Sequence, residues 1–381
     1  VFGICETVKL YSQSKNSGSN FAVEIVDFTK PVDIMQQALP PEFTTKFVFE
    51  YCVGESFSGF KTIESLRKSI SSRLKTLGYS ALLFMKNLQS IEFQIQMMED
   101  LAQGRYAVKR EHLSKACSMV SSAGAEEARD HYLVYSKDVP NMQSRTVNIA
   151  YLLVKNKEGS VRFQRPQDPY ISVFFPTETE SKLNFIVQGP FRTTPNRSSI
   201  PFDDDDNRDL AKLIAELLSE SVLDIRKRGL LDVHFLSLLP TKEPDRLVDW
   251  LFLPVLAQVK RLMIEEDILP TTEGGFTNAN HAVLARGAEI TKVFSGDILT
   301  DFLNRFEDEH ELLFFEDGEI TYWPENDEYE PTHTLLRYHW VDTRITENTF
   351  PELHRFLSGD LNITIIRPEG IPGFINKRVL F

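Results

Sequence analysis

Phe174-Phe175-Pro176-Thr177 leads, after a turn, to Phe185-Ile186-Val187-Gln188-Gly189-Pro190-Phe191. The polar stretch Thr193-Thr194-Pro195-Asn196-Arg197-Ser198-Ser199-Ile200 follows, and then the run from Asn207 to Arg228. The first two pieces are wholly or alternately apolar and bounded by turn residues, which predicts strands at Tyr170–Phe175 and Asn184–Gln188. In the last piece Leu210, Leu213, Ile214, Leu217, Leu218, Val222 and Ile225 recur at helical spacing and predict one long amphipathic helix. Strand, polar loop and long helix in succession decide the class: sheet and helix packed in layers, α+β.

The acidic run Asp203–Asp206 stands where that helix's positive end should be, and Gly229 stands past its other end. Helix capping accounts for the aspartates. A Mg²⁺ site is the sharper alternative, but four consecutive carboxylates do not all point one way. Arg226-Lys227-Arg228 complements the negative end of the same dipole.

Working toward the N-terminus, strands are predicted at Phe21–Val26, Phe47–Val53, Ala81–Met85, Ile91–Ile95, Tyr106–Arg110, His131–Ser136 and Arg145–Lys155, with a helix over Thr62–Leu77. Toward the C-terminus, Leu247–Met263 reads as a helix kinked or broken at Pro254. Helices are predicted at Asn278–Arg286, Asp297–Phe306 and Pro351–Leu357. A hairpin is predicted over Glu311–Trp323 about Asp317-Gly318, and a last strand at Leu361–Ile366.

The chain has 381 residues, long enough for two or three domains. Its net charge of −13 opposes sequence-independent binding to nucleic acid, which needs clustered cations facing phosphates. Three cysteines, Cys5, Cys52 and Cys117, are odd in number and far apart, which fits a reducing compartment rather than a disulfide framework. No apolar run is long enough to span a bilayer, and the start lacks a basic segment followed by an apolar block. A cytoplasmic, soluble protein is expected. Val1 at the start and the apolar run before Phe381 at the end are expected to mark a piece of a longer chain.

No intact P-loop, G-x-S-x-G elbow, H-E-x-x-H or C-x-x-C occurs. His333 and His339, near Glu328 and Glu330, have poor metal spacing, and His131 and His234 read as strand or packing residues. Nothing marks a Ser or Cys nucleophile.

Phe2-Gly3-Ile4-Cys5-Glu6-Thr7-Val8 resembles the second glycine motif, F-G-x-G-x-K-S-V, of the GHKL ATPase superfamily, and more closely its sacsin and NO VEIN branch. There, glycines let backbone wrap the ATP phosphates at a helix N-terminus. Here Cys5 replaces the second glycine, and Glu6 and Thr7 replace Lys and Ser. Ala81-Leu82-Leu83-Phe84 with Ile91-Glu92-Phe93 resembles the first strands of that superfamily's middle, or transducer, domain. The stretch from Phe174 to Leu210 is similar to the branch's F-x-P-T, strand, G-x-F, S-R-x-x-I and N-x-x-L pattern. Leu269-Pro270-Thr271 with Gly274, and His339-Trp340, resemble later segments of the branch.

The resemblance implies a function. In the heat-shock chaperone's comparable loop an arginine reaches the ATP γ-phosphate; by position it is Arg197, followed here by Ser198 instead of Glu, with Arg192 as the alternative. The plainer account of Arg197 is that it caps the loop or pairs with Asp203–Asp206. A planar guanidinium from another module suits the charge that develops in phosphoryl transfer. Gly3, Cys5 and Thr7 would be a degenerate phosphate loop. The general-base Glu, the Mg²⁺-ligating Asn and the adenine-binding D-x-G-x-G are absent from this sequence, and the resemblance puts them N-terminal to Gly3. ATP and Mg²⁺ are thus expected only together with such residues, and ATP hydrolysis likewise.

The architecture expected is the end of a Bergerat-type ATP-binding sandwich over residues 1–60. A βαβ-rich transducer would follow over 61–240, and a mixed, mainly helical domain over 241–381. The expected function is a nucleotide-responsive core that relays ATP binding or hydrolysis to its own further domains, a homodimer mate or an effector. Defence in bacteria, or chaperone-like work, is the role the resemblance implies. The alternatives are an inactive GHKL-like scaffold or interaction module, and a component of a nucleic-acid-processing complex.

Overall fold

The computed structural model describes residues 5–14, 18–27, 29–51, 59–75, 82–85, 87–98, 101–123, 129–155, 161–167, 169–195, 199–242, 250–307 and 337–366. The class is α+β, as the periodicities predict. The chain forms two compact units. One contains Val1–Tyr79, Ser90–Ala107 and Ala123–Ala128; the other contains Ser80–Gln89, Val108–Ser122 and Arg129–Phe381.

In the first unit, β1 (Cys5–Gln13), β2 (Asn20–Val26), β3 (Lys30–Asp33) and β4 (Thr45–Tyr51) form an antiparallel sheet in the order β3-β2-β1-β4. Helix α1 (Ile63–Lys75) starts where the Thr62 hydroxyl accepts the Ser65 N–H at 3.1 Å. Its last carbonyls, of Leu74 and Lys75, accept the Tyr106 hydroxyl at 2.7 and 2.8 Å. β5 (Ser90–Gln96) pairs antiparallel with the first half of β6 (Leu101–His112).

The second unit carries the end of β6, then β7 (Cys117–Ala123), β8 (Arg129–Asp138), β9 (Thr146–Lys155), β10 (Val161–Gln164), β11 (Tyr170–Val173), β12 (Phe175–Glu180) and β13 (Ile186–Gln188). The strand order is β12-β11-β13-β9-β8-β7-β6, with β10 also on β9. Alternation along β8, β9 and β13 sends Leu133, Ile149, Tyr151 and Val187 to one face and Val134, Ala150 and Ile186 to the other.

Two expectations for this region need correction. The run Leu82–Phe84 is buried, but it is a turn and not a strand. The Met85 N–H bonds back to the Leu82 carbonyl at 3.2 Å, and Arg110 Nη2 donates to the carbonyls of Leu82 and Met85, both at 2.6 Å. Leu83 and Phe84 then cover the Val134 face of the sheet. Nor are the described pairings those of βαβ units. In this sheet all are antiparallel except β11 with β13, where Ser172 lies opposite Gln188. Short turns join the neighbours: Asn141 and Ser144, both at positive φ, close the link from β8 to β9. A parallel pair needs a long crossover, and the one present contains strand β12 instead of a helix.

Helices α2 (Asp205–Lys227), α3 (Val233–Leu236) and α4 (Leu253–Glu265) pack on the Tyr151 face. Pro254 lies in the first turn of α4, where its missing N–H has no partner to lose, so it begins the helix and does not kink it. After the hairpin β14 (Leu269–Pro270) and β15 (Phe276–Thr277), the predicted helix Asn278–Arg286 is replaced by one 3₁₀ turn, Ala279–His281, and strand β16 (Ala282–Ala285). Helices α5 (Ala288–Val293) and α6 (Gly296–Glu307) come next. β16 is buried between two parallel neighbours, β17 (His339–Trp340) and β18 (Ile365–Ile366), with α7 (Pro351–Arg355) between those in sequence. That double-sided burial suits an unbroken apolar run. The hairpin expected over residues 311–323 and the pair His333 and Glu328 lie outside the described residues.

One core runs through this unit, from Cys117 on β7 through α2 and α4 to Leu357 and Ile363, and it crosses residue 240 without a break.

Candidate functional site

The loop between β13 and α2 is the feature the sequence singles out, and its two stems are tightly built. Gly189 donates its N–H to the Ser172 carbonyl at 3.1 Å. A Cβ on Gly189 would stand 2.9 Å from the Phe191 ring, so glycine is what lets Phe191 fold back into the core against Phe252. Farther on, Ile200 is buried and anchors the other stem.

Asn207 joins the stems. It is fully buried, and its side chain serves three backbone groups. Oδ1 accepts the Arg192 N–H at 2.8 Å, while Nδ2 donates to the carbonyls of Arg192 at 3.1 Å and Pro201 at 2.8 Å. A carboxamide, with two donors and an acceptor in one plane, is the group that can do this. Above the clamp, the Thr194 N–H bonds to the Ser199 carbonyl at 2.9 Å, and the Ser199 N–H bonds to the Thr194 hydroxyl at 3.1 Å. The stems are therefore closed twice, once at Asn207 and once between Thr194 and Ser199.

Asp204 caps α2, accepting the Asn207 N–H at 3.1 Å, and Asp205 and Asp206 occupy the first turn, as helix capping predicts. Asp204 and Asp206 also hold the exposed Arg192 guanidinium, with Nη1 3.3 Å from Asp204. Among the described residues no three carboxylate, His or Cys side chains are grouped to hold a metal.

Arg197 and Gly3 lie outside the described residues. Arg192 stands at the loop base and is already paired. Cys5 is fully buried at the start of β1, opposite Tyr51 on β4. Thr7 is half-buried on the same strand, where the register with β4 shifts between Cys5 and Val8. Both are strand residues; the described part of this segment has no helix N-terminus to offer an anion. The structure thus brings together Arg192, Asp204, Asp206 and Asn207. Sequence reasoning quoted Asn207 within a pattern but missed its work. The one uncharged residue among the charged ones from Asp203 to Asp209 was the available signal.

A second set of titratable groups ties β8 to the far end of α2. The Tyr135 hydroxyl donates to Asp224 Oδ2 at 2.7 Å, and Arg228 Nε donates to the same oxygen at 2.5 Å. Burial raises the Tyr135 phenol far above its ordinary range, and burial also pushes the Cys117 thiol up. At Asp224 burial works against ionisation, but the bonds from Arg228 and Tyr135 outweigh it and hold the carboxyl below its usual range. The bonded partners are all the protein's own, and the group reads as a structural tie.

No family model matches the chain, and no curated protein matches it.

Proposed function

We propose that the chain is the nucleotide-responsive core of a GHKL-type ATPase of the sacsin and NO VEIN kind, in which the loop between β13 and α2 reports the phosphate state of a bound nucleotide. The observation that carries the reading is the Asn207 clamp. A fully buried amide fixes both stems of this loop, at Arg192 and Pro201, on a helix buried along its length. In sequence, Arg197 is the cation between those stems. ATP with Mg²⁺, when bound, supplies the transferable phosphoryl group. The chain's own contribution is positioning: Asn207 holds the stems, Arg197 would stabilise charge on the γ-oxygens, and α2 would carry the change in loop position into the core.

On this reading the sheet of β1 to β4 is the end of an ATP-binding sandwich, the sheet-and-helix unit the transducer, and the residues beyond 240 its helical extension. Partners are further domains of the same polypeptide, a homodimer mate or an effector protein, in defence or chaperone-like work in the cytoplasm. Direct nucleic-acid binding is not part of the reading, given the net charge of −13.

A second reading is favoured by Cys5 and Arg192. A fully buried cysteine stands where a phosphate loop would need open backbone, and the alternative arginine is already held by two aspartates. Both suit an inactive scaffold or interaction module. ATP turnover of the whole protein separates the two. Arg197→Ala should lower turnover by roughly a hundredfold or more, as loss of a charge-stabilising donor does, and Asn207→Ala should lower it by about as much through misplacement of the loop. Turnover that is absent, or unchanged in both variants, leaves the scaffold reading standing.

A further inference from the structure

An open cleft of about 340 Å³ lies in the second unit, away in sequence from the loop just described. Its apolar lining is Phe163 at the end of β10 and Leu238 after α3, both buried. Its polar lining is Ser237, whose hydroxyl donates to the His234 carbonyl at 2.7 Å, and five further side chains: Gln164, Arg165, Asn184, His234 and Glu352.

The fold aims these side chains by burying their neighbours. On α3, capped by Asp232, Phe235 is fully buried against Phe163 and Tyr151, with ring centroids 4.8 and 5.1 Å away. His234 is turned outward as a result, and its ring is held edge-on to Phe350 at 5.4 Å. Asn184 stands between the fully buried Leu183 and Phe185, so it too is turned away from that core. Glu352 is in the first turn of α7, beside the buried Leu353. Among the described residues, none of the five polar side chains makes a hydrogen bond or ion pair with the protein. Glu180, which feels the charge of Arg165, is bonded to Lys182. Unspent hydrogen-bonding capacity beside an apolar surface is the composition of a small-molecule site, and the volume is at the small end of such sites.

Charge then selects the ligand. Arg165 contributes one positive charge and Glu352 one negative. Burial lowers the proton affinity of His234; Arg162 and Arg344 lower it further, while Asp232 and Asp342 oppose them, so the imidazole is uncharged near neutrality. A phosphate dianion would be matched by Arg165 but repelled by Glu352. A zwitterion matches both ends.

We propose that this cleft binds a free α-amino acid with an apolar side chain. Arg165 and the amides of Gln164 and Asn184 take the carboxylate, Glu352 takes the ammonium, and Phe163 and Leu238 cover the side chain. Planar guanidinium and carboxylate pair by two parallel hydrogen bonds.

The test is NMR titration of the whole protein, following the His234 imidazole resonance, assigned by its loss in His234→Gln. The probes are L-leucine, 4-methylpentanoate (which lacks the ammonium), isopentylamine (which lacks the carboxylate) and inorganic phosphate. L-leucine should shift the resonance saturably, and each single-charge probe should bind at least tenfold more weakly. Arg165→Gln should weaken L-leucine and 4-methylpentanoate and spare the amine; Glu352→Gln should weaken L-leucine and the amine and spare the acid. Both residues are exposed, so both variants keep the fold. A resonance unmoved by L-leucine, an L-leucine response that survives Arg165→Gln, or saturation by phosphate alone overturns the proposal.

Discussion

At the residue scale, Asn207, itself fully buried, has one carboxamide and three backbone groups to serve. Removing it in Asn207→Ala leaves those groups unpaired, at about 1 kcal/mol or more for each. A total loss of about 2–4 kcal/mol is expected, read as a lower urea midpoint with unchanged slope. Asn207→Asp should do no better at neutral pH. It keeps the acceptor for the Arg192 N–H but turns an anion toward two carbonyls and sets it beside Asp204 and Asp206. A loss under about 0.5 kcal/mol for the alanine variant would mean that Thr194 and Ser199 close the loop unaided. The sequence displayed Asn207 but not its partners, because Arg192 and Pro201 become its neighbours only once the loop folds back. His234 shows the same limit. Its neighbour Phe235 was legible as core by composition, whereas the outward direction of His234 follows from which side of a four-residue helix is buried.

Elements were legible where one period dominated. The stripe from Leu210 to Ile225 gave α2 with its cap and its Gly229 stop, and alternation gave β5, β8, β9 and β2. Short apolar runs were not legible. Leu82–Phe84 and Ala282–Ala285 are both brief and both buried, yet one is a turn held by Arg110 and the other a parallel strand. Local sequence does not contain the Arg110 guanidinium or the β17 and β18 neighbours. Pro254 is a matter of register: read inside a helix it should kink it, but read at the first turn it costs nothing. Pro254→Ala should therefore change stability by less than about 1 kcal/mol, measured by urea unfolding. A gain of about 3 kcal/mol would show that the ring strains the helix interior after all.

At the scale of the whole molecule, the question is what unfolds together. A domain boundary is expected near residue 240, yet Met263 and Val259 of α4 share one core with Ile149 and Tyr151 of β9 and with Leu217 of α2. Side chains this closely packed transmit loss of a neighbour, because a cavity in one wall removes contacts from the others. Met263, fully buried, is the probe. Met263→Ala should cost about 2–5 kcal/mol. If the core is cooperative, native-state hydrogen exchange will show that protection lost equally from amides of α4 and from those of β9, more than a hundred residues earlier. If residues beyond 240 formed a separate body, α4 would lose protection while Ile149 to Leu153 kept theirs. The first outcome has a functional corollary. A displacement of the loop above Asn207 acts on α2, and α2 shares its core with β9 and α4. Any signal entering at that loop would then reach α4 through packing.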